Sequence, residues 1–232
     1  MFSIQSILNY VPFERVKFLV DLSQKFIDDL QHVNATEEEV TFPFSVFPLE
    51  DFQSTGSSSP LYFPRTDTRL SVTPLHLASA YGREEVVTLL LNFSDVDKQA
   101  ENGGVTALFL ALYCGHLGIA NLLLERGAHP NSSCSFNGLH AAARRGFKNE
   151  IVKFIQDFGV EVDIEDMDGA TPVVYALQLP EKEAWGTISL LFNLGAKKDA
   201  IVGDGCWTYA DLARSMGKED LATWLESVAD DP

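Results

Sequence analysis

The chain has 232 residues, 46% apolar and 22% charged, which is ordinary for a globular fold and long enough to bury a sizeable core. Seventeen Lys and Arg face 33 Asp and Glu, a net charge of −16 that argues against nucleic acid or an anionic membrane surface as partner. Cys114, Cys134 and Cys206, at no regular spacing, argue against a disulfide framework and suit a reducing compartment, cytoplasmic or nuclear. No basic stretch precedes an apolar N-terminal run, and no run reaches the ~18 apolar residues of a membrane span.

Residues 3 to about 32 read as two helical pieces. Ile4, Ile7, Leu8 and Val11 lie at helical spacing, Pro12 interrupts, and Val16, Leu19, Val20, Phe26, Ile27 and Leu30 form a second stripe. An amphipathic helical pair packing on the rest of the protein accounts for this pattern. A second reading stays open, because Ile4 to Val16, with Phe26 downstream, resembles the start of an F-box. It lacks the usual leading Leu-Pro and the later tryptophan. That resemblance implies a substrate-recognition adaptor of a ubiquitin ligase.

Between residues 34 and 72 the character changes. Glu37-Glu38-Glu39 is a solvated charge run, and Thr41 to Phe52 carries Phe42, Phe44, Phe47 and Phe52 with two prolines. Such a segment is too irregular for helix and too proline-rich for a central strand, so it is expected to lie extended on an apolar surface. Ser54 to Pro60 has linker composition. Residues 1–70 are thus expected to be a helical and aromatic segment that packs on the chain beyond residue 70, in one continuous body.

From residue 73 one pattern recurs. Thr73-Pro74-Leu75-His76-Leu77-Ala78 places a capping hydroxyl before a proline at the first helical position, and Gly82 ends a helix of barely two turns. A longer apolar run, Val86 to Leu91, comes next. The start returns at Thr106, Asn137, Thr171 and Thr208, in steps of 33, 31, 34 and 37 residues. Each short helix leads into a longer one: Val86–Leu91, Ile119–Leu124, Ile151–Ile155, Ile188–Phe192 and Leu221–Leu225. Gly127, Gly159 and Gly195 close three of them with the φ > 0 that other residues resist. Helix pairs repeated near this period cannot bury their apolar faces alone and must stack.

Over about residues 71–228 these motifs resemble an ankyrin-repeat protein of five units. Thr73 to Ala78 carries the family motif in full. Glu101 to Leu108 and Asp166 to Pro172 match the turn ahead of it, and Ile119 to Ala128 matches the second helix with its glycine stop. The resemblance implies an all-α solenoid with β-turn fingers, and implies that His76 and His140 bond backbone between units. Unit three has Asn137-Gly138 in place of Thr-Pro, with Asn still a cap. Unit four inserts residues around Leu179 to Gly186, a bulge in which Trp185 either packs under the loop or makes a contact. Unit five surrounds Thr208-Tyr209-Ala210-Asp211 with Arg214, Lys218, Glu219, Asp220 and Glu226, the polar outer face a terminal repeat needs.

Enzyme chemistry is thin. No Gly-rich phosphate loop, Gly-x-Ser-x-Gly or His-Glu-x-x-His is present, and Cys114 with His116, or His129 with Cys134 and His140, miss zinc spacing. No catalytic residue, metal or cofactor is assigned. An enzyme pocket between residues 1–70 and the repeats stays a distant alternative. The leading reading is a non-enzymatic module holding a protein partner on the concave face of its repeats. Carried over position by position, first-helix ends supply Ala80, Tyr81, Tyr113, Cys114, Arg144, Arg145, Gln178 and Leu179. The fingers supply Asn102, Gly103, Val105, Met167, Asp168, Ala170 and Trp207. Tyr, Trp and Arg are the types that dominate binding energy. Arg144-Arg145, a paired positive charge in an acidic chain, would suit an acidic or phosphorylated peptide or an ion pair with a neighbouring finger.

Overall fold

The computed structural model describes residues 38–41, 69–100, 104–133, 136–166, 168–202 and 207–229. The expected N-terminal helices with the F-box-like stretch, the aromatic run 42–52 and the Ser-rich linker lie outside them. The described residues fall into two compact units, 38–41 with 69–132, and 133–229.

In the first unit β1 (Glu38–Thr41) pairs antiparallel with β2 (Arg69–Val72), Glu38 opposite Val72 and Thr41 opposite Arg69. Two helix pairs come after: α1 (Pro74–Ala80) with α2 (Glu84–Leu90), and α3 (Ala107–Cys114) with α4 (Leu117–Glu125). First helices pack on each other, second helices do likewise, and each pair packs within itself.

The second unit repeats the plan three times. α5 (Gly138–Arg145) pairs with α6 (Lys148–Gln156), and α7 (Pro172–Ala176) with α8 (Glu181–Asn193). After the hairpin of β3 (Ile201–Val202) and β4 (Trp207–Thr208), α9 (Tyr209–Ser215) pairs with α10 (Glu219–Ala229). α5 packs on α7, α7 on α9, and α6 on α8.

Composition separates two layers. α1 and α7 are buried at every residue, and α3 at seven of its eight. A helix that is apolar all round has no other stable place than between neighbours. Second helices bury one stripe only, such as Ile119, Ala120 and Leu123 on α4 or Leu221, Ala222 and Leu225 on α10. Each fully buried Leu, Ile or Phe of this core contributes about 1.5–3 kcal/mol relative to exposure.

Three of the five helix starts are capped as the sequence predicts, and Thr73 and Thr171 turn their hydroxyls to other partners. Thr106 Oγ1 accepts from Phe109 N–H at 3.2 Å and Thr208 Oγ1 from Asp211 N–H at 3.1 Å. Asn137 Oδ1 accepts from the N–H groups of Leu139 and His140 at 3.0 and 3.2 Å. At Thr73 the hydroxyl instead lies 2.8 Å from Nδ1 of His76. Gly127, Gly159 and Gly195 all take positive φ.

The insertion in the fourth repeat is not a loop bulge. Its residues are wound into α8, which runs 13 residues where α6 has 9. Glu181, Lys182, Glu183 and Ala184 are adequate helix formers and Pro180 precedes the first helical residue, so extending the helix satisfies backbone that a loop would leave open. Trp185 consequently sits on a helix and stacks on Trp224 of α10, ring centroids 4.7 Å apart, with Phe192 6.0 Å from Trp224.

Candidate interaction surfaces

The side chains that hold successive repeats in register set where the surface residues fall. In the first unit, Nδ1 of His76 accepts from Thr73 N–H at 3.2 Å, so Nε2 carries the proton and donates to the Val105 carbonyl at 3.0 Å. Nε2 of His116 lies 3.1 Å from the Ala80 carbonyl at the end of α1. Asp97 accepts from His129 N–H at 3.0 Å, and the Gln99 amide donates to the Ser132 carbonyl.

The second unit uses the same logic with different chemistry. Asn137 N–H donates to Nδ1 of His140, whose Nε2 reaches the carbonyls of Ile164 and Ala170 at 3.1 and 3.2 Å. Burial pushes the His140 ring down to about 4, so it is neutral at neutral pH. The Asp166 carboxylate accepts from Asp168 N–H, Ala170 N–H and the Tyr175 hydroxyl at 2.9, 2.8 and 2.7 Å. Burial raises its carboxyl above the ordinary range in spite of those three donors. Asp163 accepts from Lys197 N–H at 3.1 Å. The hydroxyls of Thr171 and Tyr209 lie 2.8 Å apart, and burial pushes the Tyr209 phenol up to about 12.

The fourth and fifth repeats cap each other's helices. The Lys218 ammonium donates to the carbonyls of Leu177 and Leu179 just past α7, while Glu181 of α8 accepts from Leu221 N–H in the first turn of α10. A cation at one helix's C-terminal end and an anion at another's N-terminal end both oppose the local dipole. The outer polar face expected of the last repeat is present: Arg214 reaches Glu226 at 2.7 Å, Glu219 at 3.5 Å and Asp211 at 3.9 Å.

The expected partner-facing residues divide into exposed and buried sets. Among the described residues only two large apolar side chains are exposed, Tyr81 at 42% and Ile201 at 62%. The exposure of Tyr81 agrees with its expected place at the end of α1. Ile201 escapes sequence reasoning, because a two-residue strand ahead of a finger has no periodicity to reveal it. In the second unit Arg145 is exposed, and Arg144, Asp168, Gln178 and Trp207 are half-buried. Five expectations are corrected. Val105 is 1% exposed, because its carbonyl is claimed by His76 and by Ala100 N–H at 2.8 Å, which turns the residue into the core. Tyr113 is 8% exposed and stacks on Phe109 one turn earlier, centroids 5.5 Å apart. Ala80, Ala170 and Leu179 are likewise buried. Asn102, Gly103 and Met167 lie outside the described residues.

Among the described residues no cluster of three His, Cys, Asp or Glu is placed to hold a metal ion, and no helix is long and apolar enough to cross a membrane. Both units are stacked helix-pair repeats, the class of fold whose product is surface.

Comparison with known proteins specifies the class further. A family model described as ankyrin repeats, three copies, matches residues 60–134. The chain is 30% identical over 116 residues to alpha-latrotoxin-Lhe1a of Latrodectus hesperus, covering 47% of this chain and 8% of that protein. It is 35% identical over 103 residues to an ankyrin repeat and KH domain-containing protein of Caenorhabditis briggsae, covering 43% of this chain and 4% of the relative. It is 29% identical over 120 residues to an ANK repeat-containing protein of Caenorhabditis elegans, covering 46% and 20%. The chain therefore spans a fifth or less of the length of these relatives. The matched residues 60–134 and the helix pairs fit an all-α ankyrin-repeat fold. Ankyrin repeats are in general protein–protein interaction modules.

Proposed function

We propose that the chain is a non-enzymatic recognition module that holds a protein partner against the exposed ends of its first helices. The observation that carries this is Tyr81. It succeeds a helix buried at all seven residues, yet 42% of it faces solvent, an apolar ring held by a rigid support. In the second unit Arg145, with the half-buried Arg144 and Gln178, occupies the corresponding ends. A cytoplasmic or nuclear setting accords with the irregular cysteine spacing.

The test is affinity capture from native extract with mass spectrometry, comparing full-length protein with Tyr81→Ala and Arg145→Glu variants. Loss of one partner at unchanged melting temperature is expected for at least one variant. Full retention by both would refute the surface.

We also infer that the strand pair of Glu38–Thr41 and Arg69–Val72 caps the first repeat. Support comes from the pairing of Glu38–Thr41 with Arg69–Val72, and from the complete burial of α1 although α1 opens the array.

A further inference from the structure

The buried polar cluster between the third and fourth repeats lies wholly inside the second unit and takes no part in the proposed recognition surface. His140 is wired at both ring nitrogens. Nδ1 accepts the Asn137 N–H at 3.3 Å, and Nε2–H serves the carbonyls of Ile164 and Ala170. These three bonds saturate the neutral Nε2–H tautomer. An imidazolium would carry a second N–H at Nδ1, aimed at a backbone N–H that has nothing to accept with.

We propose that this joint is acid-labile: its geometry accepts His140 only as a neutral imidazole, so protonation detaches the Ile164 and Ala170 backbone from α5. The groups around the ring are consistent with this. From α7 the Tyr175 ring lies 4.9 Å away, and its hydroxyl leads to the Asp166 carboxylate. Burial outweighs the two carbonyl bonds that favour the proton.

Proton uptake sets the sign. The ring sits at about 4 when the joint is closed and at 6.5 when it is open, so opening binds a proton between those values. The closed form is fully favoured above pH 6.5 and is lost as pH falls towards 4. Between pH 7 and pH 5 the open-to-closed ratio rises roughly 20-fold. Asp166 works in the opposite sense, because acid relieves the cost of burying its charge.

Amide exchange on the full-length chain tests this, read as protection factors at Asn137, Asp166 and Ala170. A fall of roughly 20-fold from pH 7 to pH 5 is expected in Asp166→Asn, where the opposing carboxylate is gone, and a fall of no more than that in the wild type. His140→Gln should change less than twofold. If that variant does not fold, the nitrogen shifts of the wild-type ring decide: the neutral Nε2–H form should persist at pH 5. Equal protection at both pH values in Asp166→Asn, or a ring that titrates near 6.5 while the Asn137 amide stays protected, would overturn the proposal.

Discussion

Replacing Lys218 with Met keeps the length of the side chain and removes the clamp between the last two repeats. In the wild type the ammonium donates to the carbonyls of Leu177 and Leu179, both in buried residues beyond a helix of only five residues. Charge-assisted bonds are worth about 1.5–3 kcal/mol each when buried, so two give at most about 3–6. Two costs reduce that. Immobilising a lysine takes about 1.5–2 kcal/mol. Burial also pushes the Lys218 amine below its ordinary range, with the Glu181 carboxylate only partly restoring it. Since Lys218 is half-buried rather than sealed, its bonds belong at the low end. The net loss for Lys218→Met is therefore about 1–3 kcal/mol.

Urea unfolding followed by circular dichroism measures the loss, and amide exchange locates it. Protection should fall in α9 and α10 and stay unchanged in α1 to α4, since repeat arrays lose stability unit by unit. Glu181→Ala should weaken the same region by freeing the Leu221 N–H and removing the attraction to the ammonium. A Lys218→Met protein within about 0.5 kcal/mol of wild type, a margin typical of ordinary surface substitutions, would refute the reasoning.

Two further substitutions probe the repeat chemistry. Gly82→Ala should destabilise the first unit by more than the roughly 1 kcal/mol usual for a left-handed position. Besides adopting φ 71°, the new Cβ would stand 2.6 Å from the His116 ring that bonds the Ala80 carbonyl. Thermal melting of Gly82→Ala beside Gly217→Ala, which has φ 71° and open space, separates strain from collision. Asn137→Thr should stabilise the second unit by about 1 kcal/mol, since the buried Nδ2 of Asn137 has no hydrogen-bond partner while threonine caps without an amide. A lowered urea midpoint for Asn137→Thr would show that the second bond to Oδ1 matters more.

The array was legible in the sequence because its determinants are local. A Thr or Asn cap, a two-turn apolar helix, a glycine and an amphipathic helix are each decided within a dozen residues, and recurrence near 33 residues states that they stack. The histidine ties were legible through the family resemblance, which implies that His76 and His140 bond backbone between units. Tertiary packing decided what periodicity leaves open. Whether Val105 and Tyr113 face solvent depends on which carbonyl His76 selects and which neighbouring ring Tyr113 meets. The insertion before Trp185 could be a loop or extra helix, and only the stacking on Trp224, 39 residues further on, accompanies the helical outcome. The reciprocal capping by Lys218 and Glu181 joins residues 39 to 41 positions apart, beyond any local rule. Short-range hydrogen bonding and helix periodicity are written in adjacent residues, whereas exposure is a property of the neighbours a residue acquires once the chain has stacked.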